Sequence, residues 1–155
     1  MNRRPQKKLA RKLVEAVMFG EVGEVDALLR AGADPDGRDA DGTAPLYAAS
    51  VHGATDKVRR LLAAGASPDA GASPGRRGLA GRPERPWGSG HAPVRAACWG
   101  HVDTVRALLE HGADPNLGED HGTGWSPLRW ARTRPHPETV GTLLAAGARE
   151  HRTAG

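Results

Sequence analysis

Cys98 and His101 stand three residues apart, with His91 and His111 each ten residues from His101. A thiol and several imidazoles at that density are the ingredients of a zinc site, or of a cysteine nucleophile with a histidine base. The pattern stops short of either. A single cysteine rules out a four-cysteine zinc site and an intrachain disulfide, and suits a reducing compartment. His101 follows Gly100, and His111 sits just before Gly112 at an expected helix end, where a basic ring suits the helix dipole. No nucleophile elbow, phosphate-binding loop, HExxH or dinucleotide fingerprint occurs. Asp34, Asp36, Asp39, Asp41, Asp69 and Asp114 lie beside glycines and prolines, where carboxylates accept from turn amides, and they need no acid–base role. The chain is therefore read as having no catalytic centre, metal or cofactor.

The elements around these residues repeat. VDALLRAGADPD, VRRLLAAGASPD, VRALLEHGADPN and VGTLLAAGARE each place a leucine pair ahead of Gly-Ala. The pairs begin at Leu28, Leu61, Leu108 and Leu143, so successive units are 33, 47 and 35 residues apart. Val25, Val58, Val105 and Val140 precede them by three residues, which makes one buried helix face per unit. Gly32, Gly65, Gly112 and Gly147 suit a left-handed helix closure, and Pro35, Pro68 and Pro115 forbid continuation. A shorter helix precedes each: residues 9–19, PLYAASVHG, VRAACWGH and SPLRWARTRP, with Ser126 as N-cap of the last. Its alanines allow close helix approach.

A 33-residue period with APLYAASVHG, AACWGHVDTVRALLEHGADPN and SPLRWA resembles the ankyrin-repeat family. The resemblance is to a small stand-alone member, expected to be bacterial, and the heavy use of Arg, Ala, Gly and Pro suits a GC-rich genome. It implies an all-α, ankyrin-type solenoid of four helix–turn–helix repeats with short hairpin loops and one long inserted loop. The expected boundaries are a basic tail at 1–9 and a repeat domain at 10–148. Within that domain the repeats fall at about 10–38, 39–70, 91–118 and 119–148, with the insertion at 71–90 and a C-terminal tail at 149–155. The departures are a first unit without the proline opening, HAPVRAA with its proline displaced, and Pro135 in place of the usual glycine.

The net charge of +4 is segregated. Residues 1–12 hold six basic and no acidic side chains, and 71–90 hold four basic against one acidic. The rest carries 12 basic and 17 acidic residues, an acidic body with two basic appendages. The start MNRRPQKK is followed by Arg11, Lys12 and Glu15 where an export signal needs an apolar run, and no segment is long enough for a membrane span. The expectation is a cytoplasmic, monomeric protein with no membrane contact.

The resemblance implies that partners bind at hairpin tips and at the exposed ends of the first helices, along one concave side. Position by position this selects Phe19, Thr43, Val51, His52, Trp87, Trp99, Trp125 and Arg134 for contact with another protein. Phe19, Trp87, Trp99 and Trp125 are expected on one face, as aromatic anchors with few rotors to freeze. Trp130 is expected in the core. The expected function is protein–protein interaction, by a cytosolic adaptor or regulator. The alternative is polyanion or nucleic-acid binding through Arg3, Arg4, Lys7 and Lys8 with Arg76, Arg77, Arg82 and Arg85 of the insertion.

Overall fold

A computed structural model describes residues 3–71, 91–119 and 124–150, which hold eight α-helices and no strand. The helices are α1 (Arg3–Phe19), α2 (Val22–Arg30), α3 (Pro45–Val51), α4 (Thr55–Ala63), α5 (Ala92–Cys98), α6 (Val102–Glu110), α7 (Pro127–Thr133) and α8 (Pro137–Ala145). Consecutive helices pack as pairs, α1 with α2 through α7 with α8. Across pairs, α1, α3, α5 and α7 form one row of neighbours, and α2, α4, α6 and α8 form a second. An isolated antiparallel bridge joins Gly71 to His91. Apart from Gly71, the insertion expected at 71–90 lies outside the described residues, and Trp87 and its arginines with it.

Local sequence explains the boundaries. Proline opens α3, α7 and α8, where its missing N–H removes no helical bond. Ser126 Oγ accepts from the Arg129 N–H at 3.2 Å and caps α7, as the sequence suggests. The displaced Pro93 is accommodated because α5 starts one residue earlier, at Ala92, with His91 as N-cap. The second helices end on Gly32, Gly65, Gly112 and Gly147, with φ between 92° and 97°. The following alanine N–H returns to a leucine carbonyl five residues back, as from Ala33 to Leu28 at 3.0 Å.

The first helix begins at Arg3, well before residue 9, where the sequence reading starts it. Its buried stripe of Ala10, Leu13, Val14 and Val17 continues the same helical period back through the cationic residues. Gln6 Nε2 donates to the Gly32 carbonyl at 3.1 Å and ties that early turn to the loop after α2.

The core is thin and continuous. Val25, Val58, Val105, Leu61, Leu108 and Leu143 are fully buried along the second row, and Leu46 and Leu128 are buried along the first. Each such side chain contributes about 1.5–3 kcal/mol by leaving water. Ala48, Ala49, Ala96, Ala97 and Ala131 are buried where the first helices approach one another. Leu144 of α8 is 45% exposed, since no described helix pair follows to cover it.

Polar contacts bind each pair to the next. The Asp36 carboxylate accepts from the Ser67 N–H at 2.9 Å, and the Asn116 amide oxygen from the Arg149 N–H at 2.7 Å. Asp69 accepts from the Asp114 N–H in the same way. Among the loop carboxylates, then, Asp34, Asp39 and Asp114 serve amides of their own turns as expected, whereas Asp36 and Asp69 reach across to the next unit. Lys57 of α4 donates to the carbonyls of Val17 and Gly20 at 2.9 and 2.7 Å, covering the open C-terminus of α1. Among the described residues, no helix is long and apolar enough to cross a membrane.

Candidate functional site

The C-terminal end of each first helix is set by the turn that follows it. Trp99 and Arg134 occupy the same place, as C-cap residues of α5 and α7. Because α5 and α7 are neighbours in one row, the two side chains meet, and the Arg134 guanidinium lies 5.0 Å from the Trp99 ring centroid. At the opposite end of α7 the Arg129 guanidinium lies 4.1 Å from the Trp125 ring. Trp125 in turn packs on Trp130, with centroids 4.9 Å apart and planes tilted by 49°. Three indoles and two guanidinium groups thus stand at the two ends of α7, Trp99 and Arg134 at its C-terminal end and Trp125, Arg129 and Trp130 toward its start.

Trp130 corrects an expectation. It is half-buried and touches Trp125, and its buried indole N–H has no acceptor among the described residues. Its place in α7 is that of Ala48 in α3 and Arg95 in α5, both buried, and Arg95 pairs with Glu119 of the following unit. No described pair follows α8, so the same position stays partly open.

The neighbouring helix α5 carries a charged pair. Arg95 is only 4% exposed, and one of its terminal nitrogens donates to Glu119 Oε1 at 3.0 Å, while its Nε has no acceptor. Glu119 precedes the approach to α7, so the pair ties the third unit to the fourth. Cys98 is buried on α5 beside these groups, and burial pushes its thiol above the usual range against the opposing pull of Arg134 and Arg95. A thiol held protonated in this way is a poor nucleophile at neutral pH.

The histidines have structural partners. His101 Nε2–H donates to the Val51 carbonyl at 3.2 Å, and its ring lies close against Gly53. His111 Nδ1–H donates to the Ala107 carbonyl at 2.8 Å, and His91 Nδ1–H to the Asp69 carbonyl at 2.9 Å. Among the described residues, no three His, Cys, Asp or Glu side chains are grouped so as to hold a metal ion.

Of the residues singled out from sequence, Trp99, Trp125 and Arg134 take part in the contacts at the ends of α7. Among the described residues, Phe19, Thr43 and His52 make no ring or ionic contact with them. Phe19 is 82% exposed and lines a separate open groove of about 750 Å³ between α1 and α2, with Lys12, Glu15, Glu24 and Leu28. Phe19 thus stands on the first unit and Trp99 and Trp125 on the third and fourth, while Trp87 lies outside the described residues. Thr43 is engaged in its own turn, its N–H donating to Asp39 at 2.8 Å, and Val51 lends its carbonyl to His101. Arg3, Arg4, Lys7 and Lys8 are exposed on α1. Arg129 is not singled out by the sequence reading, and Trp130 is there assigned to the core.

Residues 89–119 match the family model for the ankyrin repeat, which supports an ankyrin-repeat family for this chain. No curated protein matches it.

Proposed function

We propose that this chain is a protein–protein interaction module of the ankyrin-repeat kind, a cytosolic adaptor or regulator rather than a catalyst. In this reading its four helix pairs are four repeats of one solenoid, and its concave side receives the partner. Ankyrin repeats are in general protein–protein interaction modules. The observation that carries the reading is the pair of tryptophan–arginine contacts at the two ends of α7, Trp99 with Arg134 and Trp125 with Arg129 and Trp130. Tryptophan and arginine are the residue types that most often dominate interface energetics, at about 2 kcal/mol or more each when centrally placed.

The test is a pull-down comparing wild type with a Trp99→Ala, Trp125→Ala double variant. Loss of partner recovery with unchanged helical circular dichroism is the expected result. Undiminished recovery overturns the assignment of these contacts.

A second reading is favoured by one feature of α1. Arg3, Arg4, Lys7, Lys8, Arg11 and Lys12 recur at helical spacing and are all exposed, forming a cationic stripe opposite the buried face. Such a stripe suits a polyanion, with arginines of the insertion as further contacts. It requires affinity for a DNA or RNA duplex that falls steeply with salt and disappears when Arg3, Arg4, Lys7 and Lys8 become glutamine. Binding that survives those substitutions rules the reading out.

A further inference from the structure

Phe19 is the most exposed of the large apolar side chains among the described residues, at 82%, and the contacts at the ends of α7 do not use it. Its place on α1 ties it to charge instead. Arg4, Lys8, Arg11, Glu15 and Phe19 follow one another at intervals of three or four residues, the spacing of one helical ridge, and all five are exposed. Ala10, Leu13, Val14, Ala16 and Val17 are buried on the opposite side. Lys12 stands two turns before Phe19, about 10–11 Å from it along the axis, and lines the same open groove between α1 and α2. The cationic stripe thus runs directly into an exposed aromatic ring.

Charge divides this ridge in two. Residues 3–12 hold six cations and no acid, and among the described residues only Arg11 of the six is ion-paired, to Glu15 at 3.6 Å. The groove beside Phe19 carries the carboxylates of Glu15 and Glu24 with Lys12, over an apolar wall of Ala27 and Leu28. A phosphate chain is drawn to the first part and repelled from the second, whereas an uncharged base can enter the groove, stack on the ring and offer its amino hydrogens to a carboxylate. A duplex keeps its bases stacked on one another and presents no free face to Phe19. Charge alone favours that duplex, whose affinity depends on salt with a slope of about −0.9 per phosphate contact against about −0.7 for a single strand. Preference for the single strand therefore has to come from the ring.

We infer that α1 binds single-stranded nucleic acid, with phosphates seated along Arg3, Arg4, Lys7 and Lys8 and a base of the same strand stacked on Phe19 in the groove between α1 and α2. The inference rests on the polyanion reading of α1 and narrows it to a polyanion whose bases are accessible. The acidic residues that dominate the chain outside its basic appendages keep the strand on this helix.

The test uses the full chain and three probes: a fluorescent single strand of about 20 nucleotides and mixed sequence, the same strand paired with its complement, and inorganic polyphosphate as a polyanion without bases. Anisotropy, direct or by competition, gives the affinities. The single strand is expected to bind more tightly than the duplex. Phe19→Ala is expected to weaken single-strand binding by about 5–150-fold, the range for one stacked base, and to leave duplex and polyphosphate binding unchanged. Phe19→Tyr should keep the affinity and Phe19→Leu should not. The ring is exposed, and circular dichroism checks that each variant remains folded. Single-strand binding that is no tighter than duplex binding, that is unchanged in Phe19→Ala, or that is fully kept in Phe19→Leu overturns the inference. If binding of all three probes still disappears when Arg3, Arg4, Lys7 and Lys8 become glutamine, the polyanion reading stands without it. Failure of every probe to bind the wild-type chain sinks both.

Discussion

The ring of His101 lies against the α-carbon of Gly53, so closely that a methyl group added there would meet the imidazole Nδ1 at 2.5 Å. His136 meets Gly100 in the same way, one unit further on. Each glycine closes a first helix with positive φ, 65° and 73°, and each histidine opens the second helix of the following unit.

Gly53→Ala therefore carries two costs, left-handed strain and collision with a packed ring, together about 2–4 kcal/mol. Gly65→Ala, with φ 97° and open space around it, carries only the first, about 1–2 kcal/mol. Urea denaturation of the two variants should show that gap. Adding His101→Ala to Gly53→Ala should make the second substitution cost less than it does in wild type; strict additivity would refute the steric account.

Glu119→Gln leaves Arg95 charged and buried without its counter-ion, and about 3 kcal/mol of stability should be lost. By contrast, Glu15→Gln breaks a surface pair with Arg11, both side chains more than half exposed, and should cost well under 1 kcal/mol. Arg95→Met combined with Glu119→Met should be less harmful than Glu119→Gln alone. Similar losses for the Glu15 and Glu119 variants would show that the Arg95 site is solvated.

Burial raises the Asp69 carboxyl above its usual range, and this outweighs the stabilising Asp114 N–H. A carboxyl whose folded-state value is raised binds protons more tightly in the native state. Its contribution is present below the unfolded value and is lost as pH rises through the folded one. Wild type should accordingly gain on Asp69→Asn as the pH falls from neutral toward the carboxylate range. Parallel urea midpoints for the two proteins across that window would contradict this.

Cys98 should react slowly with iodoacetamide at about pH 8 in the folded protein and rapidly in urea, because burial both hides the thiol and keeps it protonated. Arg134→Gln removes one of the charges that favour the thiolate and should slow the native reaction further. Fast native alkylation would mean that α5 opens readily.

The paired helices were legible because their signals are local. A valine, a leucine pair, a glycine and a proline at fixed spacing mark both the buried face and its end, as Val105, Leu108, Gly112 and Pro115 do in α6 and the loop after it. The start of α1 escaped notice since Arg3, Arg4, Lys7 and Lys8 continue the helix on its wet side, where apolar periodicity says nothing. Trp130 was misplaced because the burial of its position depends on whether another unit follows. The Arg134–Trp99 contact was hidden for a different reason: it is made between α5 and α7, and the sequence between them does not state how they pack. Asp36 and Asp69 read as ordinary turn residues until the neighbouring unit is placed beside them.

The bonds from Asp36, Asp69 and Asn116 to the next unit end on the main chain, at Ser67, Asp114 and Arg149, three residues with nothing in common but an N–H. A joint that ignores the side chain on its far half can be inherited whole. Copying or deleting a unit in register would preserve that joint without compensating change in the neighbour.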